Sequence, residues 1–281
     1  MNSVLSVKNL CKEYPSFKLK NISFEVSKGR IMGFIGRNGA GKTTTLKSLL
    51  NLVHPQSGDI MFFGMNLKDN EREIKQKIGY AAGGINYYER KTLREITNTT
   101  KQFFDSWDDD LYNHYLKSFN LDENKKPYEL SEGMKVKYNL VLALSHHAEL
   151  LILDEPTSGL DPVSRDDLLD VFLDLAKKGV SILFSTHITS DLEKCADDIT
   201  YIKNGEILDS DENRNFEQKY RIINLGGDIS ENQKGLILGQ CRTKSGDTAI
   251  IKAADIASFG DFSQHVPSLE EIMVHLEKEN I

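Results

Sequence analysis

Gly36-Arg37-Asn38-Gly39-Ala40-Gly41-Lys42-Thr43 is the stretch on which the reading of this chain turns. It fits G-x-x-x-x-G-K-[ST], the phosphate-binding loop. Polyphosphate needs many donors close together, and glycines let the backbone turn tightly enough to aim successive N–H groups at one point. A helix opening at Gly41 adds the positive end of its dipole. Lys42 then reaches the β- and γ-phosphates and the Thr43 hydroxyl can ligate Mg²⁺, with Arg37, Asn38, Gly39, Ala40 and Thr44 completing the loop.

Outward from the loop, Arg30 to Ile35 is a short apolar run that reads as a strand buried on both faces, and the helix beyond it runs from about Gly41 to Leu52. Val4 to Leu10 and Ile22 to Val26 carry partial apolar alternation, and the turn cluster His54-Pro55-Gln56-Ser57-Gly58 leads into a strand from Asp59 to Phe63. From about Leu93 to Asn120 the pattern is helical, with Phe103, Phe104, Trp107, Leu111, Tyr115, Leu116 and Phe119 at mostly helical spacings. Asp108-Asp109-Asp110 reads as acidic residues opening a helix, stabilised by its dipole, rather than as a metal site. A helix over Ser131 to Leu144, a buried strand Leu150 to Leu153, a helix over Pro162 to Lys178 and a strand Val180 to Ser185 follow, with Gly179 at a helix C-cap. Strands alternating with helices imply a mostly parallel sheet with crossover helices. After about Tyr220 the rhythm is lost, and Ser268-Leu269-Glu270-Glu271 is a capping box before a last helix.

Composition narrows the function classes. The 281 residues carry 35 basic and 42 acidic side chains, a net charge of −7, so the clustered Lys and Arg excess of a phosphate-neutralising nucleic-acid binder is missing. A spanning helix needs roughly 18 consecutive apolar residues, and the longest candidate, Leu140 to Leu153, is broken by Ser145, His146, His147 and Glu149. The amino terminus does not read as a signal peptide. Cys11, Cys195 and Cys241 are scattered, which suits a reducing cytosol and no zinc site.

Two more strand ends carry chemistry. Asp154-Glu155 follows the strand Leu150 to Leu153, at the carboxyl end where open parallel sheets bind ligands. Asp154 is expected to hold Mg²⁺ through its hydration shell, and Glu155 to orient or deprotonate a water for in-line attack on the γ-phosphate. The strand Val180 to Ser185 ends in Thr186-His187, which makes His187 a third candidate. His146 and His147 read as a solvated helix end.

With these motifs in this order, the chain resembles the nucleotide-binding subunits of ABC transporters over roughly residues 3 to 220. Leu130-Ser131-Glu132-Gly133-Met134 is similar to the family signature, Ser158-Gly159-Leu160-Asp161 to its dimer-contact loop, and Tyr14 to the aromatic that stacks on adenine. The resemblance implies an α/β P-loop NTPase of ABC type: a mostly parallel core sheet with an antiparallel β subdomain, a helical subdomain and a small C-terminal appendage. It divides the chain into an ATPase domain over 1–220, with a helical insertion at about 83–148, and a small α/β extension over 221–281. It further implies a head-to-tail dimer with two ATP molecules between the subunits. Ser131 and the Gly133 N–H would complete the γ-phosphate site of the opposite subunit, and Asp161 would connect the two sites.

The resemblance also implies partners: a separate transmembrane permease docked on the helical insertion, a second ATPase subunit, and a peripheral place on the cytoplasmic side of the membrane. The signature Ser-Glu-Gly-Met-Lys and the tail Pro267 to Ile272 look like exporter subunits for drugs and antimicrobial peptides. Two departures stand out: Gly83 falls where the family has a Gln, and Glu132 where it has a small residue, its carboxylate expected to point away from phosphate. The rival from another class is a soluble ATPase switch on ribosomes or nucleic acid, but such relatives carry two ATPase units or a long coiled-coil insertion. A binding-only partner in a heterodimer is opposed by Glu155 and His187.

Overall fold

Alternating apolar residues open the chain as an antiparallel hairpin, β1 (Ser3–Tyr14) and β2 (Phe17–Ser27), whose Leu5, Val7, Leu10, Ile22 and Val26 are fully buried. The computed structural model describes residues 3–82, 88–226, 229–244, 246–260 and 262–278. Next comes β3 (Ile31–Ile35), buried throughout as a strand covered on both faces must be. The helix after the phosphate loop is α1 (Lys42–Leu49), which ends before the expected Leu52. Asn51 turns left-handed there, at φ +57°, and the Leu52 and Val53 N–H groups bond back to Lys47 O. β4 (Ser57–Phe62) and β5 (Met65–Asn66) complete a four-stranded antiparallel sheet in the order β2-β1-β4-β5. Then come α2 (Leu67–Gln76) and β6 (Ile78–Ala82). Gly83 lies outside the described residues.

The helical layer is α3 (Leu93–Thr100), α4 (Asp109–Ser118) and α5 (Glu132–Leu144), closed over a small core of Leu93, Ile96, Tyr112, Leu116, Tyr138 and Val141. The helical pattern over 93–120 is thus two helices. A 3₁₀ turn over Lys101–Phe103 parts them and turns Phe103 outward. Asp108 caps α4, its Oδ1 accepting the Leu111 N–H at 2.8 Å. Among the described residues no cluster of three or more His, Cys, Asp or Glu could hold a metal.

One expectation is corrected here. His147 is exposed, but His146 is buried rather than solvated. Beyond α5 the chain folds back under α2: the His146 ring stacks on Phe104 with centroids 3.7 Å apart, and its Nδ1–H donates to Gln76 O at 3.0 Å. Burial pushes this imidazole down to about 4.

The core sheet is finished by β7 (Leu150–Asp154), α6 (Pro162–Lys177), β8 (Ser181–Thr186), α7 (Thr189–Cys195), β9 (Asp198–Lys203) and β10 (Glu206–Glu212). Its order is β10-β9-β3-β8-β7-β6, parallel except where β10 runs against β9. Alternate residues of β3 serve opposite sides: Ile31 and Ile35 pack with Phe172, Phe184 and Leu192, while Met32 and Phe34 pack with α1 and the antiparallel sheet. Register levels the strand ends, with Ile35 opposite Thr186 and Asp154 opposite Ser185.

The short α8 (Asn213–Phe216) leads into β11 (Tyr220–Asn224), α9 (Glu231–Lys234), β12 (Gly239–Thr243), β13 (Gly246–Lys252), β14 (Gln264–His265) and α10 (Leu269–Glu277). These strands form an antiparallel sheet in the order β12-β13-β11-β14. The Ser268–Glu271 capping box opens α10 as expected. Ile222, Ile250, Leu269, Ile272 and Leu276 join the core that holds Phe172 and Leu192, and the Tyr201 hydroxyl donates to Glu277 Oε1 at 2.6 Å. No described helix is long and apolar enough to cross a membrane.

Candidate active site

The loop between β3 and α1 fits a polyphosphate chain by its shape. Gly36 is pressed against β9, where a Cβ would meet Ile202 O at 2.3 Å. Gly41 sits at φ +115° against Leu19 and the Phe17 ring tip, which leaves no room for a side chain. Gly39, at φ +85°, has nothing within 4 Å of where a Cβ would stand, so its face of the loop is open. Arg37, Asn38 and Gly39 are exposed, and Ala40 is buried beneath them. No side chain caps α1, so its first N–H groups remain available to an anion.

Lys42 is only 4% exposed and lies along the loop, its Nζ donating to Gly36 O at 2.6 Å and to Arg37 O at 3.2 Å. The same ammonium is 3.0 Å from Glu155 Oε1. On the other side, His187 Nδ1 is 2.8 Å from Glu155 Oε2. The sheet therefore brings together the lysine after β3, the carboxylate after β7 and the imidazole after β8. Glu155 holds this place in a left-handed conformation, φ +50°, which a residue with a Cβ adopts at a cost of about 1 kcal/mol. Its N–H is anchored by Ser185, donating to Oγ at 2.9 Å and to the carbonyl at 3.2 Å.

Ser185 also donates to Asp154 Oδ1 at 2.6 Å, fixing the orientation of that buried carboxylate. Thr43 is exposed at the start of α1 and Thr44 is half-buried. A hydroxyl and a carboxylate are hard oxygen donors suited to Mg²⁺, which takes few protein ligands and keeps waters and phosphate oxygens. The donor set fits that ion.

The remaining candidates lie apart from this group. Tyr14 is 37% exposed at the end of β1, with the Lys12 ammonium 5.1 Å from its ring centroid. Its cross-strand partner is Phe17, which touches the loop at Gly41 and which sequence patterning missed. Ser131 caps α5 by accepting the Met134 N–H at 3.2 Å, and Gly133 faces Leu160 and Ser164. Glu132 points to Lys135, 2.7 Å away. Asp161 caps α6 through the Val163 and Ser164 N–H groups, each at 3.0 Å, and hydrogen bonds from Ser164 hold its carboxyl below the usual range. Among the described residues no hydrogen bond or ion pair joins Ser131, Gly133 or Asp161 to Lys42, Glu155 or His187. Ser185 was also missed, although it could have been found from its place at the end of a buried strand.

The family profile described as "ABC transporter" matches residues 19–158. The chain is 34% identical over 245 residues to the bacitracin transport ATP-binding protein BcrA of Bacillus licheniformis, covering 85% of this chain and 79% of that protein. It is 32% identical to the ABC transporter ATP-binding protein YtrB of Bacillus subtilis, covering 76% and 73% respectively. A solved structure of an ATP-binding subunit of an ABC transporter superposes with a TM-score of 0.69 at 30% identity, covering 76% of this chain and 92% of that one.

Proposed function

This chain belongs to the ATP-binding proteins of ABC transporters, and from that premise we propose that it hydrolyses ATP to drive export of drugs or peptides through a separate transmembrane subunit. The observation that carries the reading is the contact of Glu155 with both Lys42 and His187 at the mouth of the phosphate loop. The loop N–H groups and Lys42 bind the β- and γ-phosphates, and Tyr14 offers its face to adenine. Thr43 and Asp154 would hold Mg²⁺, which supplies charge neutralisation at the phosphate oxygens. Glu155 orients a water and takes its proton, while His187 holds the carboxylate through Oε2 and faces the γ-phosphate.

A head-to-tail dimer completes the site in this reading. The Ser131 hydroxyl and Gly133 N–H, at the start of α5, meet the γ-phosphate held by the facing subunit, and Asp161 lies where the two subunits touch. The exposed Glu132 is consistent with this, because its pairing with Lys135 keeps an anion away from the phosphate. The unit that works is residues 1–220, with the helical insertion at about 83–148 and the extension at 221–281 riding on it. Export is supported by the likeness to BcrA, a bacitracin transport protein.

We assign the permease-docking surface to a cavity of about 420 Å³ between α3, α5 and β6, lined by Leu52, Tyr88, Phe103, Phe104 and Leu142 among others. Leu52, Tyr88 and Phe103 are large apolar side chains left exposed at this place. Docking there would place the protein on the cytoplasmic side of the membrane, held by the permease. The decisive experiment is Glu155→Gln in phosphate-release and nucleotide-binding assays. Turnover is expected to fall by about a hundredfold or more, with ATP affinity retained; undiminished turnover would remove Glu155 as the base.

A further inference from the structure

Asp191, in the first turn of α7, is a carboxylate that the hydrolytic scheme leaves without a role. It is 1% exposed. Its Oδ2 accepts from the Thr157 hydroxyl at 2.5 Å and from the Thr186 hydroxyl at 3.5 Å. Thr157 lies two residues after Glu155, and Thr186 directly precedes His187. The Thr186 hydroxyl in turn accepts the Ile188 N–H at 3.0 Å, so the turn that carries His187 is closed by the same cluster. One buried carboxylate therefore grips both segments that present the hydrolytic pair.

Its other oxygen faces a different segment. Asp191 Oδ1 and Arg165 Nε are both buried, neither has a hydrogen-bond partner among the described residues, and they stand 3.9 Å apart. Arg165, in the first turn of α6, also directs Nη2 to Leu160 O at 3.5 Å, beside Asp161. A shift of about 1 Å would turn this ion pair into a charge-assisted hydrogen bond. Burying a carboxylate is expensive, and burial pushes the acid up from its ordinary value. A neutral side chain would suffice to tie two threonines together. A carboxyl group with an unpaired buried oxygen 3.9 Å from an unpaired guanidinium nitrogen is suited to coupling the two segments.

We propose that Asp191 is a positioning residue for hydrolysis: it holds the Glu155 and His187 segments in register through Thr157 and Thr186, and couples that register to the 158–161 loop through Arg165. The inference rests on the reading of Glu155 and His187 as the hydrolytic pair. A residue that only stabilises the fold would alter melting and nucleotide affinity together with turnover. A positioning residue changes kcat while leaving the affinity of the loop for ATP in place.

The test compares Thr157→Val, Thr157→Ser, Asp191→Asn, Arg165→Gln and the double variant Asp191→Asn/Arg165→Gln in the full chain, measuring kcat, KM and the affinity for a fluorescent ATP analogue. Thr157→Val should lower kcat by about tenfold, the rate equivalent of one hydrogen bond, with affinity changed less than about twofold. Thr157→Ser, which restores the hydroxyl, should recover most of that loss. The double variant should turn over no more slowly than Asp191→Asn alone, because both remove one coupling. Normal kcat in Thr157→Val, no recovery in Thr157→Ser, or additive losses in the double variant would each overturn the proposal. If Asp191→Asn fails to fold, the two Thr157 variants decide alone. Glu155→Gln in parallel separates the premise from the inference: full turnover there removes the hydrolytic assignment, whereas lost turnover there beside normal turnover in Thr157→Val removes only the positioning role.

Discussion

At the scale of single residues, the buried His146 makes the sharpest quantitative statement. Its imidazole is confined between Phe104 and Gln76 O, and its folded-state value of about 4 lies below the ordinary 6.5. The unfolded chain therefore takes up the proton first. Stability present above pH 6.5 is lost as the pH falls toward 4, by roughly 3 kcal/mol from this group. His146→Asn keeps an N–H donor for the carbonyl and does not titrate there, so its urea midpoint should fall less steeply than the wild type's over that window. Parallel curves would mean that His146 is not the group responsible. The same scale explains why His146 was illegible in sequence: a polar pair after a helix looks the same whether the next turn faces water or folds under a neighbour.

Among elements, legibility followed the range of the interaction. The phosphate loop, the buried strands β3, β7 and β8 and the capping box at Ser268 could be read because each depends on residues a few positions apart. What could not be read depends on register between strands. Ser185 reaches Asp154 because β7 and β8 pair residue for residue, and Asp191 reaches Thr157 across 34 positions. The close seat of α10 on β12 is of this second kind. A Cβ on Gly239 would meet His275 O at 2.0 Å, a backbone atom that cannot step aside without moving the helix. Gly239→Ala should destabilise the protein by about 1–3 kcal/mol. A fall of several degrees in the thermal midpoint would register it, and an unchanged midpoint would mean that α10 is free to shift.

For the whole molecule, the continuous core between the ATPase sheet and the C-terminal sheet sets an expectation about truncation. Ile222, Ile250, Ile272 and Leu276 pack with Leu192 and Phe172, so removing residues 221–281 uncovers apolar surface on α6 and α7. A chain ending at Tyr220 should aggregate or unfold at lower temperature than the full chain, read by light scattering and melting; equal stability would mean that the shared core contributes little. A site completed by two subunits should also give ATPase activity that rises more steeply than linearly with protein concentration, whereas activity proportional to concentration would favour a self-sufficient monomer. The left-handed backbone at Glu155 bears on how such a protein can be altered. Glycine would relieve that conformation at no steric cost, but it would also take away the carboxylate that the buried Lys42 faces, so Glu155→Gly should abolish turnover with a urea midpoint near the wild type's. In the proposed scheme a glutamate at so awkward a position marks the point where the chemistry, and not the fold, dictates the residue.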